Sequence, residues 1–147
     1  MNSVSWLALM VTVGWVSGCA TRPDQIVDVP LTATQYNAGH IAQASLTSAG
    51  NETDISLIVS GVPSGTVRPV HLYTYIYPGS CQQLGPQPDY SLNQVVIADF
   101  LTTRPPPWQM WKRAPVPLSQ LRAGAYALVV RAAPMDGNVD LFCGNIR

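Results

Sequence analysis

The sequence predicts an all-β protein, an antiparallel sandwich or barrel of seven to eight short strands. Three observations carry this. Apolar and polar residues alternate over short windows through most of the chain. The 147 residues include 13 Pro and 11 Gly, too many for a helical bundle and natural in turn-rich β structure. No amphipathic stretch of useful helical length interrupts the alternation, and Ser119-Gln120-Leu121, before Gly124, reads as a single helical turn.

The length fits one domain. With 47% hydrophobic and 11% charged residues, the chain is too apolar for disorder. Eight basic residues balance eight acidic ones, and Lys112 is the sole lysine. Nucleic acid is therefore not an expected partner, because phosphate binding needs a basic patch.

Trp6 to Val16 is an apolar run that is short for a bilayer span, which takes about 20 residues. It suits the core of a secretory signal over residues 1–18. Val16-Ser17-Gly18-Cys19 resembles a bacterial lipobox, in which small residues pass a narrow peptidase cleft and the cysteine is acylated. Cys19 is thus the expected lipid attachment, making the membrane a partner through an N-terminal lipid. By resemblance to Gram-negative lipoproteins, Ala20 in place of Asp implies the outer membrane, facing the periplasm, over inner-membrane retention. Residues 19–30, with Pro23, Asp24, Asp28 and Pro30, read as a lipidated tether, and 31–147 as the β-sandwich domain.

With Cys19 set aside, Cys81 and Cys143 have one possible pairing. In an oxidising compartment a disulfide is expected, closing a loop of about 63 residues and contributing roughly 4 kcal/mol in the chain-entropy picture. No CxxC motif and no nearby His favours a metal or redox role for these thiols.

The strands follow in order. Leu31, Ala33 and Gln35 begin one before the turn cluster Asn37-Ala38-Gly39, and Ile41 to Thr47 supplies a second. Ile55, Leu57 and Val59 alternate with Asp54, Ser56 and Ser60. Val70 to Tyr77 puts Val70, Leu72, Thr74 and Ile76 on one face and His71, Tyr73, Tyr75 and Tyr77 on the other. Val95 to Leu101 can form another strand, and Pro105-Pro106-Pro107 marks a loop or an edge. Trp108 to Arg113 places Trp108 and Met110 opposite Gln109 and Trp111. Ala125 to Ala132 and Val139 to Cys143 complete the set.

Three segments together resemble the Cu/Zn superoxide dismutase-like family. Val59-Ser60-Gly61-Val62-Pro63-Ser64-Gly65 followed by Val70-His71-Leu72-Tyr73 resembles its strand, G-L-x-x-G loop and His-x-His strand. Leu118-Ser119-Gln120-Leu121 with Gly124 to Arg131 resembles the segment ending in V-V-H, and Cys143-Gly144-Asn145-Ile146 resembles the terminal C-G-x-I. The resemblance spans Ile55 to Ile146 and implies a Greek-key sandwich or barrel. It also implies a disulfide between the terminal cysteine and one after the His-x-His strand, where Cys81 stands.

The ligand positions carry over poorly. His71 matches the first copper His, but Tyr73 and Arg131 stand where two further His belong, and no His follows His71. Asp140 stands at the position of the substrate-guiding Arg. With His40 and His71 the whole supply of imidazole, no metal site, no cofactor and no catalysis are expected. His40, after Gly39, reads as a surface turn residue. No nucleophile elbow and no phosphate-cradling loop occurs.

The row His71, Tyr73, Tyr75, Tyr77 is a candidate binding face, set against plain cross-strand packing. Trp108 and Trp111 beside the proline run form a candidate docking loop, set against a loop folded onto the sandwich. The expectation is a non-catalytic, lipid-anchored envelope protein on a dismutase-like scaffold that binds or supports another envelope protein. The alternative is a copper- or zinc-handling protein or residual dismutase relative using His71. A third reading is a small-molecule binder using the Tyr face.

Overall fold

The computed structural model describes residues 25–99 and 104–147. The described chain is all-β and antiparallel. The strands are β1 (Ile26–Ala33), β2 (Ala42–Ala49), β3 (Glu52–Val59), β4 (Leu72–Ser80), the two-residue β5 (Gln83–Leu84) and β6 (Tyr90–Ser91), β7 (Trp108–Ala114), β8 (Tyr126–Ala132) and β9 (Asp140–Ile146). One short helix, α1 (Leu118–Ala123), covers the predicted helical turn. Strand order across the sheet is β5-β4-β8-β9-β1-β2-β3-β7, with β6 also on β4.

The sheet curls so that its inward faces meet. Strand β1 is the hinge of the curl: residues 26–31 ladder with β2, while Thr32 and Ala33 ladder with Cys143 and Phe142 of β9. Two half-sheets result, β1-β2-β3-β7 and β4-β8-β9. Between them lie Leu46, Ile55, Leu57, Leu72, Ile76, Leu128, Leu141 and Phe142, all fully buried. The period-2 pattern does this sorting, since each strand turns alternate residues toward the partner half. In β7, Trp108, Met110, Lys112 and Ala114 point in, and Gln109, Trp111 and Arg113 point out.

Three sequence expectations need correction. The stretch Ile26 to Pro30, assigned to the tether, is part of β1, and Val27, Val29 and Leu31 alternate inward there. Pro30 is tolerated because β1 ladders with β9 only through Thr32 and Ala33, so no bond to β9 is lost at that position. The expected strand from Val95 is not regular over its described residues. The chain from Asp89 to Ala98 instead runs along β4 in broken pairing: Asp89, Leu92 and Ala98 N–H groups donate to Ile76, Thr74 and Val70, and Leu72 N–H donates to Val96. The last strand runs on to Ile146, and a bulge opposite Val130/Arg131 inserts Leu141. That extra residue lets both Leu141 and Phe142 enter the core. Residues 1–24, including Cys19, lie outside the described residues.

The far edges of the curl, β7 and the broken segment on β4, meet without a ladder. Side chains close this seam. Lys112 of β7, only 5% exposed, donates its ammonium to the Val95 carbonyl. Arg68 pairs with the buried Asp99, and its guanidinium lies 5.8 Å from the Trp108 ring centroid. Burial lowers the Lys112 pKa to about 8 from 10.5. Between these values the unfolded chain binds more protons than the folded one, so stability rises with pH across that window. The penalty for burying the charge is fully present below about pH 8 and gone above 10.5. Allowing for water that reaches the amine from the seam, it is on the order of 2 kcal/mol. Urea unfolding between pH 7 and 10.5 should show this rise in the wild type and lose it in Lys112→Met. Parallel pH profiles for the two proteins would refute the assignment.

Candidate functional site

The outward face of β4-β8-β9 carries the residues singled out in the sequence. Alternation in β4 places Tyr73, Tyr75 and Tyr77 there, with Leu72, Thr74 and Ile76 turned to the core. Across the ladder, Tyr73 faces Arg131, Tyr75 faces Val129 and Tyr77 faces Ala127. Strand β9 continues these rows with Asp140, Cys143 and Asn145.

Arg131 organises this face. Its guanidinium lies over the rings of Tyr75 and Tyr77, at 5.2 and 5.6 Å from their centroids, and its Nε donates to Asp140 Oδ1 at 2.6 Å. The two tyrosines meet edge to face at 6.2 Å. Burial works against the Arg131 charge, but the accepting oxygens of Asp140 and Tyr77 outweigh it and raise the pKa. The bulge in β9 makes this possible, because Leu141 is absorbed inward and Asp140 comes to stand opposite Arg131.

The face is packed, and only partly open to solvent. Ala127 and Val129 point outward yet are completely buried, and Tyr77 is nearly so. The Cys81–Cys143 disulfide, with Cα atoms 5.8 Å apart, ties the loop after β4 over this face. Cys81 N–H donates to Asn145 Oδ1 at 2.8 Å, fixing the loop a second time. A cavity of about 540 Å³ opens beside the disulfide, lined among others by Asp28, Thr32, Gln82 and Arg147.

No protein-family model matches the chain. No curated protein and no solved structure matches it either. The residues must therefore be read by their chemistry.

The donor set on this face does not suit copper. His71 is half-buried and bridges to Ile97 at the start of β4, beside Tyr73 on the same face. The other imidazole, His40, packs on Gly61, where an added Cβ would stand 2.6 Å from its ring. It lines a different cavity, with Pro63, Ser64 and Arg68, that His71 does not reach. Among the described residues, no group of three or more His, Cys, Asp or Glu could hold a metal ion. The guanidinium of Arg131 occupies the row next to Tyr73, and while protonated it offers no lone pair to a metal.

The two tryptophans part company. Trp108 is buried in the seam, with Nε1 donating to the Arg104 carbonyl at 3.4 Å. Trp111 is 68% exposed on the outward side of β7. Sequence reasoning did not single out the Arg68–Asp99 pair, and it treated Lys112 only as a lone cation. The signal for Lys112 was present, since it shares the alternation of Trp108 and Met110.

Arg131→Ala should destabilise the domain by about 2 kcal/mol, combining the lost stacking and ion pair. Asp140→Ala should cost less, and a double-mutant cycle should give a coupling of about 1 kcal/mol. Coupling within the noise of urea titrations would mean that the two side chains act independently.

Proposed function

We propose that the chain is a non-catalytic, lipid-anchored protein of the bacterial cell envelope, built on a superoxide dismutase-like scaffold that binds or supports another envelope component. The observation that carries this reading is the Arg131–Asp140 pair stacked on Tyr75 and Tyr77. The resemblance assigns a copper ligand to the position of Arg131 and the guiding arginine to that of Asp140. Here the two side chains neutralise each other, and their geometry serves packing.

The chemistry supports the same conclusion. Arg cannot ligate a metal while protonated, and it stays protonated at physiological pH. A phenol such as Tyr73 must ionise to become a good ligand, against a reference pKa of about 10. With Arg131 and Asp140 paired, this pair supplies no unpaired positive charge where an anionic substrate would need attraction. The anchoring part of the proposal rests on the lipobox at Cys19. Residues 20–25 separate it from the first strand, and Ala20 in place of Asp, by resemblance to Gram-negative lipoproteins, favours the outer membrane with the domain in the periplasm.

Two measurements test the proposal. Mature protein loaded with excess copper and then desalted should dismutate superoxide no faster than His71→Ala. A rate clearly above that variant would establish the metal-handling alternative. In cells, Cys19→Ser should leave the membrane fraction or remain unprocessed. A Cys19→Ser protein that still matured and fractionated with membranes like wild type would remove the lipid anchor from the proposal.

A further inference from the structure

Trp111 is a wall shared by two cavities. One, of about 340 Å³, also meets Asp54, Gln94 and Arg113; the other, of about 370 Å³, also meets Ile58, Arg104 and Gln109. We propose that this outward stretch of β3 and β7 is a saccharide-binding face, and that its ligand is a short, flat oligosaccharide carrying carboxylates.

The register builds the face. On the outward side, Asp54, Ser56 and Ile58 of β3 stand opposite Arg113, Trp111 and Gln109 of β7. From Gln109 to Arg113 the strand rises about 13 Å, the length of a short oligosaccharide, with the indole at its middle. Trp111 is 68% exposed, and Ile58 and Val95, one in each cavity, are exposed as well. A tryptophan on a strand has only two side-chain torsions to lose when a ligand covers it.

The groups around the indole select the ligand. A pyranose ring has a face of C–H groups and a rim of hydroxyls. The C–H face suits the negative face of an indole. The rim needs donors and acceptors beside the indole. Gln109 Nε2 donates to Ser56 Oγ at 3.1 Å, which leaves the amide carbonyl and the serine proton for a ligand. Beyond the indole, Arg113 Nε donates to Asp54 Oδ1 at 2.7 Å, and Glu52 stands 3.6 Å from the same guanidinium. That end of the face is polar and carries no net positive charge. A wholly apolar ligand would strip these groups of water and give nothing back.

The other end differs. Arg104 lines the cavity beside Gln109, and among the described residues no carboxylate lines that cavity and none pairs with Arg104. Charge complementarity puts an acidic group of the ligand there. This inference rests on the binding part of the function proposed above and gives the ligand a chemical class. The anchor and the lack of dismutation have their own tests, so failure here leaves those results standing.

The full, isotope-labelled chain is titrated with the β-1,4-linked trimer of glucuronic acid and with cellotriose, the same chain with a hydroxymethyl group in place of each carboxylate. The Trp111 indole N–H resonance, assigned by its loss in Trp111→Phe, should shift with both, with a dissociation constant of about 1 mM for the acid. The acid should bind about threefold more tightly, and Arg104→Gln should close that gap. Maltotriose, whose α-links bend the chain out of plane, should bind several-fold more weakly than cellotriose. With folding checked by circular dichroism, Trp111→Ala should abolish the accompanying amide shifts of Gln109 and Arg113. No shift with either β-linked sugar, or amide shifts that persist in Trp111→Ala, would overturn the proposal and leave the face to a protein partner. Equal affinity of the wild type for the acid and cellotriose would refute the acidic ligand, and equal affinity for maltotriose would refute the flat one.

Discussion

Between Val29 and Leu31 the backbone of β1 lies against Gly144 so closely that a methyl group added to Gly144 would stand 2.6 Å from the Pro30 carbonyl and from a Leu31 methyl. Any other residue would push β9 away from β1. This approach allows β1 to belong to both half-sheets, and the remaining architecture answers to it. With the sheets joined at this corner, the inward faces converge on Phe142 and its neighbours. The opposite margin is then left without a ladder, and side chains must close it. Arg68, Asp99 and Lys112 do so, combining an ion pair, a charge-assisted bond to a carbonyl and a cation over Trp108.

The outer face of β4-β8-β9 repeats this logic on a smaller scale. Ala127 and Val129 are apolar residues on what would otherwise be a wet surface, and they need a cover. The tyrosines, the Arg131 guanidinium and the disulfide-tied loop provide it. A cation sandwiched between aromatic rings and a carboxylate has its charge satisfied in place, which favours a fixed arrangement over one that captures and releases ligands. The seam differs, because there a charge is buried with a neutral partner beside open volume.

Much of this was legible in the sequence, for identifiable reasons. Strands β3, β7 and β8 sit where alternation placed them, since a half-buried strand repeats every two residues. The pairing of Cys81 with Cys143 followed from the count of cysteines. Pro30 hid the start of β1, because the cost of a proline depends on whether a neighbouring strand needs its N–H, which one strand's sequence does not reveal. The partner of Arg131 was hidden for a related reason. Asp140 reaches it through the bulge at Leu141, and a bulge breaks the period on which the reading relied. The shared outward face of Tyr73, Tyr75 and Tyr77 was legible, but the burial of Tyr77 and the guanidinium over Tyr75 and Tyr77 depend on distant segments.

The inward charge on β7 has a further consequence. A strand at the end of a sheet offers free backbone groups to any extended chain that drifts past, and a flat apolar edge invites runaway association between molecules. Pointing a lysine inward from such a strand is a deterrent: a neighbour that added to the edge would have to bury the ammonium more deeply, or strip it from its carbonyl. Lys112 therefore trades stability within one molecule for solubility among many.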